Sequence, residues 1–471
     1  MKFISEDTIV APATLPGTGA ISVVRLSGPA TFSVLDQIIR FKSGDASSSD
    51  GYRIKYGIVT DSDDSVLDEV LTALFRAPHS YTGEDMAEIS CHASPYIVSR
   101  LLERLVAAGV RLAEPGEFTR RAFMNGRMDL AQAEAVADVI AADSQAAHRI
   151  AMNQLRGGFS AELAGMRAEL LEMTSLMELE LDFSEEDVEF ADRSRLSDLL
   201  ERVMAHLDKL ISSFRLGNAL RRGIPVAIVG PANAGKSTLL NALLEDDRAI
   251  VSDIAGTTRD TIEEVLNVDG IPFRFIDTAG LRDTVETIEQ FGIERSLRKL
   301  SEAEVVLAVL DVSSPLDVLK AFVDYLIKKV NRKTQQLYIL LNKAENIGDN
   351  KNVIDINSYV SLIDDNIVVL IISAKFNFGI SDLKNRLVAS WKDKTLSTED
   401  TLVSNIRHYQ ALSEARASLS RVRDGLSSGT PTDLVAQDLR DALEALGSIL
   451  GQSITPDEVL RNIFSKFCIG K

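Results

Sequence analysis

The spacing of apolar positions changes three times along the chain, and each change marks a new kind of structure. Over residues 1–118, short alternating runs such as A-I-S-V-V-R-L (20–26) give way to helical stretches such as I-V-S-R-L-L-E-R-L-V-A-A-G (97–109). Pro16–Gly17, Thr82–Gly83 and Pro115–Gly116 punctuate them, which predicts a compact α+β domain. Over 119–221 the composition turns to Ala, Leu, Glu, Met and Arg at i, i+3, i+4 spacing with almost no proline, as in L-A-Q-A-E-A-V-A-D-V-I-A-A, and predicts long antiparallel helices. Over 222–384 strand and helix signals alternate. T-I-E-E-V-L-N-V and F-R-F-I-D flank an Asp269-Gly270 turn of hairpin type, and three apolar strands follow, V-V-L-A-V-L-D, L-Y-I-L-L-N and I-V-V-L-I-I-S. That pattern predicts a mostly parallel sheet covered on both faces. Helical spacing returns over 385–471, at 405–426, 432–450 and 456–467. Neither helical region closes a bundle alone, so the two are expected to pack together, with the sheet domain inserted between them. The expected class is α/β and α+β multidomain.

Length agrees, since 471 residues exceed one core and suggest about three domains. The net charge of −18 argues against broad adhesion to nucleic acid, so an RNA partner needs a local basic patch or a second protein. Arg215, Arg221, Arg222, Arg295, Arg298 and Lys299 are candidates for such a patch. The opening M-K-F-I-S-E-D-T has no apolar leader and no later run reaches membrane length, so a cytoplasmic protein without membrane contact is expected. Two distant cysteines, Cys91 and Cys468, argue against a disulfide framework. His79, His92, His148, His206 and His408 show no zinc spacing.

Chemistry concentrates at G-P-A-N-A-G-K-S (230–237), which follows an apolar β-type run and opens a helical pattern. Glycines at 230 and 235 let backbone N–H groups converge on a polyphosphate, and the helix aims its positive dipole end there. Lys236 would reach the β and γ phosphates and Ser237 would ligate Mg²⁺. D-T-A-G (Asp277, Thr278, Ala279, Gly280) closes a strand about forty residues on, supplying an Asp near the magnesium and a glycine N–H for the γ-phosphate. N-K-A-E (Asn342, Lys343, Ala344, Glu345) and S-A-K (Ser373, Ala374, Lys375) end the last two strands, where α/β sheets bind ligands, and together they read as guanine recognition. The predicted nucleotide set further takes in Asn233, Ala234, Gly235 and Thr238 of the phosphate loop. From the first switch it takes Ser252, Asp253, Ile254, Ala255, Gly256, Thr257 and Thr258.

Two departures from the common GTPase pattern stand out. Glu345 replaces the usual Asp and is longer by one methylene, roughly 1.5 Å, so restoring Asp is expected to tighten GDP binding if the fit is strained. Leu281 replaces the glutamine that orients water in many small GTPases, leaving Glu286, Glu289 and Glu294 as acidic candidates for that task. Thr258 suits Mg²⁺. The Gly256–Thr257 turn and the Asn233 side-chain oxygen suit a monovalent cation beside the phosphates.

End to end, the chain resembles the MnmE (TrmE) family of tRNA wobble-uridine modification GTPases. The blocks D-T-I-V-A-P-A-T-L-P-G-T-G-A-I-S-V-V-R-L-S-G, T-G-E-D-M-A-E-I-S-C-H, P-G-E-F-T-R-R-A-F-M-N-G-R-M-D-L-A-Q-A-E-A-V-A-D and L-D-F-S-E-E-D, with the closing F-C-I-G-K, are similar to the family's own. The resemblance implies an N-terminal domain that forms a homodimer and binds a tetrahydrofolate one-carbon donor (5-formyl or methylene form). It further implies a helical domain carrying a Ras-like P-loop domain, and potassium-dependent GTP hydrolysis. The FAD-dependent partner MnmG would join it in a heterotetramer acting on tRNA. By the same resemblance, potassium falls to Asn233, Ser252, Ile254 and Thr257, and magnesium to Ser237 and Thr258. The water-positioning carboxylate is Glu289, the folate contacts are Arg25, Glu88, Arg127 and Lys471, and Cys468 is assigned a chemical role. Arg127 stands where Lys is usual, which keeps the charge and changes the geometry. The competing reading is a regulatory GTPase switch in ribosome or complex assembly, without one-carbon chemistry. The G-domain motifs serve both, and the terminal blocks favour modification.

Overall fold

The computed structural model describes residues 7–61, 63–182, 193–245, 264–276, 300–332, 334–346, 351–363, 367–396, 401–452, 460, 463–464, 467 and 470. The chain divides into two compact units. One holds Met1–Ile140, Met152–Leu207 and Ala411–Lys471, and the other holds Ala141–Ala151 and Asp208–Gln410.

Alternation in the first unit produces a seven-stranded sheet. Its strands are β1 (Ile9–Pro12), β2 (Ile21–Ser27), β3 (Ile39–Phe41), β4 (Arg53–Thr60), β5 (Val66–Phe75), β6 (Met86–His92) and β7 (Arg111–Leu112), in the order β3-β4-β5-β6-β2-β1-β7. Neighbours are antiparallel except β1 with β7. The β2–β6 register sets Val24 opposite Ile89 and Arg25 opposite Glu88. Because successive side chains point to opposite faces, that register sends Val24, Leu26, Ile89 and Cys91 into a core with helices Thr31–Ile38 and Pro95–Ala107. Burying each large aliphatic there contributes about 1.5–3 kcal/mol. Arg25 and Glu88 are turned to the other face as a pair.

The helices of this unit include Glu117–Met124, Leu130–Ala141, Gly158–Asp182 and Thr432–Leu450. Gly158–Asp182 and Thr432–Leu450 pack along one another, so helical stretches from both sides of the second sheet in sequence share one layer, with Leu163, Leu170, Leu439 and Leu446 fully buried. Helix Thr432–Leu450 stops at Gly451, whose φ of 71° is left-handed. A Cβ there would fall 2.6 Å from the Phe123 ring, so only glycine meets both demands. Leu460, Phe464 and Phe467 pack with Leu130 and Ala133 and return the chain to the first helices.

The second unit is a six-stranded sheet of β8 (Ile224–Val229), β9 (Glu264–Val268), β10 (Ile271–Phe275), β11 (Val305–Asp311), β12 (Gln336–Asn342) and β13 (Val368–Ile371), in the order β13-β12-β11-β8-β10-β9. All neighbours are parallel apart from the β9–β10 hairpin. Its turn has left-handed Asp269 (φ 50°) and Gly270 (φ 81°), the conformation that Asp-Gly favours. Buried on both faces, β11 is apolar at every position from Val305 to Leu310. Leu307 and Val309 join a core with helices Lys236–Glu245 and Ile380–Leu396, while Val306, Ala308 and Leu310 join one with Leu316–Lys329 and Lys351–Ile363. Residues 141–151, helical in composition, belong here because Ala146 and Ile150 pack on the first of these cores. The Ala146 N–H also donates to Gly270 O at 3.3 Å, and Asn267 Nδ2 donates to Asp143 O at 3.0 Å. Among the described residues no helix is long and apolar enough to cross a membrane.

Candidate functional site

Strand β8 hands the chain to the phosphate loop, and helix Lys236–Glu245 leaves it. Two glycines are sterically required. A Cβ on Gly230 would sit 2.2 Å from Val309 O, and one on Gly235, whose φ is 97°, would sit 2.2 Å from Asn342 Nδ2. Asn233 takes a left-handed φ of 61° at the exposed crest of the loop. Lys236 Nζ donates to the carbonyls of Gly230 (3.0 Å) and Pro231 (2.8 Å), folding the ammonium back over the loop. Burial pushes its pKa below the ordinary lysine value. Ser237 and Thr238 follow in the first helical turn.

The N-K-A-E and S-A-K loops meet this loop through Asn342. Its side chain is buried, Nδ2 donates to Ala234 O at 2.8 Å, and Oδ1 accepts from Ala374 N–H at 3.0 Å. One amide therefore ties the phosphate loop to both N-K-A-E and S-A-K. Lys343 has a left-handed φ of 64°, and its Nζ lies 2.6 Å from Asp311 Oδ2. Ala344 N–H donates to Ile372 O at 3.1 Å. Glu345 Oε2 accepts from Ser373 Oγ at 2.5 Å. That hydroxyl, with the Glu345 backbone N–H and the nearby Lys375 and Lys343 charges, holds Glu345 below the usual carboxylate range. Lys375 Nζ rests 5.4 Å from the Phe376 ring centre.

The Ser373 contact reverses the expectation for Glu345→Asp. The longer carboxylate is already seated on a hydroxyl, so shortening it removes a charge-assisted hydrogen bond. GDP binding is expected to weaken by about threefold or more, as read by titration with a fluorescent GDP. Tighter binding would instead show that Glu345 is strained.

In the first unit a second cluster of polar groups forms around Arg25. Its Nε and Nη2 donate to Glu88 Oε1 at 3.0 and 2.8 Å, and its Nη1 donates to Gly470 O at 3.1 Å. The guanidinium carbon stands 5.4 Å from the Tyr81 ring centre and 5.7 Å from that of Phe118. Gly470 (φ 95°) lies so close to β1 that a Cβ would fall 2.1 Å from Pro12 O. Thus Arg25 and Glu88 are brought together, with residue 470 beside them. Arg127 rests its aliphatic stem against Gly83, where a Cβ would lie 3.2 Å from Arg127 Cγ.

Sequence reasoning missed the ion network beneath this cluster. Glu117, 1% exposed, accepts from Arg111 Nη2 at 2.6 Å, from Arg121 Nη2 at 3.1 Å and from the Glu114 N–H at 2.8 Å. Arg121, 3% exposed, also reaches Asp7 Oδ1 at 2.7 Å and Glu84 Oε2 at 3.2 Å. The network joins P-G-E-F-T-R-R to T-G-E-D, and the only signal was that both blocks are rich in charge. Asp311 was missed as well, although it ends strand β11 at the carboxyl edge of the parallel sheet.

Ser252, Asp253, Ile254, Ala255, Gly256, Thr257, Thr258, Asp277, Thr278, Ala279, Gly280, Glu289, Cys468 and Lys471 lie outside the described residues.

Comparison with known proteins accounts for both units. Residues 8–127 match the family "GTP-binding protein TrmE N-terminus", and residues 130–468 match "MnmE helical domain". The tRNA modification GTPase MnmE of Porphyromonas gingivalis is 48% identical over 474 residues, covering 99% of this chain and 98% of the relative. Its namesake in Bacteroides fragilis is 47% identical, covering 99% of this chain and 100% of the relative. Among solved structures, a point variant of Aquifex aeolicus Era bound to GDP.AlF4- aligns over 41% of this chain and 66% of its own at 26% identity, with a TM-score of 0.27, a likeness too slight to build on. The near-full-length identity and the two matched families bear out the resemblance read from the terminal blocks, and the chain belongs to the MnmE family of tRNA modification GTPases.

Proposed function

We propose that this chain is a potassium-dependent GTPase acting on tRNA. Working with an FAD-dependent MnmG partner in a heterotetramer, it adds an aminomethyl or carboxymethylaminomethyl group to carbon 5 of the wobble uridine, drawing on a tetrahydrofolate one-carbon unit. The observation that carries the reading is the pairing of two sites in one chain: a phosphate loop bracketed by Asn342, and an Arg25–Glu88 cluster beside Gly470.

Each part has a chemical rationale. Converging N–H groups of residues 233–238 and the Lys236 ammonium bind the phosphates, and Ser237 with Thr258 would hold Mg²⁺, which neutralises phosphate charge. Asn233, exposed at the crest of the loop, suits a further cation together with Ser252, Ile254 and Thr257. Glu289 would orient the attacking water, since Leu281 has no hydrogen-bonding group. Asn342, Lys343, Glu345 and the S-A-K backbone would recognise guanine. In the first unit a guanidinium between Tyr81 and Phe118 suits a planar ligand with a carboxylate tail, and Glu88 suits pterin donors. Arg127, Cys468 and Lys471 would complete that pocket. Exposed Ile54, Tyr56 and Leu71 on β4 and β5 support homodimer formation through the N-terminal domain, residues 1–118.

Turnover of GTP is expected to be a hundredfold or more faster in potassium than in sodium, a step typical of charge neutralisation at a transferring phosphoryl group. Asn233→Ala should erase the difference between the two salts. Equal rates in all cases would remove the potassium reading. Mass spectrometry of wobble uridines from cells with and without the gene tests the modification itself, and unchanged uridines would overturn it.

A further inference from the structure

Asp311 belongs to none of the nucleotide motifs, yet one of its carboxylate oxygens meets Lys343 of N-K-A-E. Parallel pairing sets Asp311, the last residue of β11, opposite Asn342, the last residue of β12, and the Val312 N–H donates to Asn342 O at 3.0 Å. Lys343 then turns through a left-handed φ of 64°, which carries its side chain back across β11. One carboxylate oxygen of Asp311 accepts from the Ser313 N–H at 3.0 Å and the Ser313 hydroxyl at 2.6 Å, while the other lies 2.6 Å from Lys343 Nζ. Burial pushes the Asp311 carboxyl upward, but Lys343 and Ser313 outweigh it and keep the group below the ordinary carboxylate range.

The competing partner for that ammonium is Glu345, two residues further on. Its carboxylate feels the Lys343 charge already, and apart from Ser373 Oγ it must remain available to guanine donors. A lysine is a flexible point charge that seeks the nearest anion. Turned back at Cα and paired at Nζ with Asp311, Lys343 makes its ion pair with Asp311 and not with Glu345.

We propose that Asp311 is a positioning residue for guanine selectivity, holding the Lys343 ammonium away from Glu345 so that the Glu345 carboxylate is free to read the base. This rests on the guanine reading of N-K-A-E and S-A-K given above.

Asp311→Asn is the test, because an Asn oxygen still accepts from Ser313 while the charge that holds Lys343 is gone. Binding of GDP and of inosine diphosphate, which lacks the exocyclic amine, is measured for both proteins, with thermal midpoints recorded alongside. GDP is expected to weaken by about tenfold, the equivalent of 1.4 kcal/mol, and inosine diphosphate by less, so that the ratio of the two affinities falls about threefold or more. Turnover at saturating GTP should change far less than affinity. Adding Lys343→Met removes the loose cation and should return the GDP-to-inosine-diphosphate ratio toward wild type, a recovery that a merely structural Asp311 would not give. An unchanged ratio in Asp311→Asn, or no recovery in the double variant, overturns the inference. A wild-type protein that does not prefer GDP to inosine diphosphate removes the guanine reading, and this inference with it.

Discussion

Gly235→Ala is expected to leave a folded protein that no longer binds GTP or GDP measurably. The glycine has φ 97°, a region costing a residue with a side chain about 1–3 kcal/mol. The added Cβ would lie 2.2 Å from Asn342 Nδ2, so the amide must move. It cannot move without releasing Ala234 O or the Ala374 N–H, and each buried group left without its hydrogen bond costs about 1–3 kcal/mol. Together these amount to about 2–6 kcal/mol, whose middle corresponds to roughly a thousandfold in affinity. Titration with a fluorescent GDP, with circular dichroism to confirm folding, measures it. Affinity within tenfold of wild type would show that the loop relaxes around the new methyl group.

The second large effect concerns stability in the first unit. Arg121→Met is expected to cost about 3–5 kcal/mol, because it strips one cation from the buried Glu117 and from Glu84 at once. Thermal unfolding followed on the full chain should show the transition of this unit fall, while that of the nucleotide unit stays put. Acidity adds a second reading. Burial raises the Glu117 pKa, but Arg111, the Glu114 N–H and Arg121 outweigh burial and leave it depressed. A depressed carboxylate contributes stability that is fully present above its unfolded pKa, about 4.3, and is lost as pH falls through the folded value. The wild-type transition should therefore drop only below about pH 4, and Arg121→Met, with less depression to lose, should drop by less and level off at a higher pH. Identical acid profiles would show that Arg121 plays no part in holding Glu117 ionised.

Local signals were the legible ones. Alternation in A-I-S-V-V-R-L, the Asp269-Gly270 hairpin and the glycines of the phosphate loop each follow from the backbone's own geometry, and each stands where the sequence placed it. What depended on distant chain segments was not legible. Asn342 reads as a base contact in the sequence, but its bracketing of Ala234 and Ala374 requires three loops to converge. Pairing of Arg25 with Glu88 needs the β2–β6 register, which no composition supplies. Helical spacing in residues 141–151 tells which face is apolar and is silent about which core receives it.

The bond from Arg25 to Gly470 spans 445 residues of chain. During synthesis at about 5–20 residues per second, β2 and β6 are both complete long before residue 470 exists, and the Arg25 side chain waits on the order of half a minute for its last acceptor. Over that interval Glu88, its neighbour across the sheet, is the carboxylate there to receive the guanidinium. A chain that stops short of Gly470 therefore keeps both groups of the Arg25–Glu88 pair and lacks the acceptor for Arg25 Nη1.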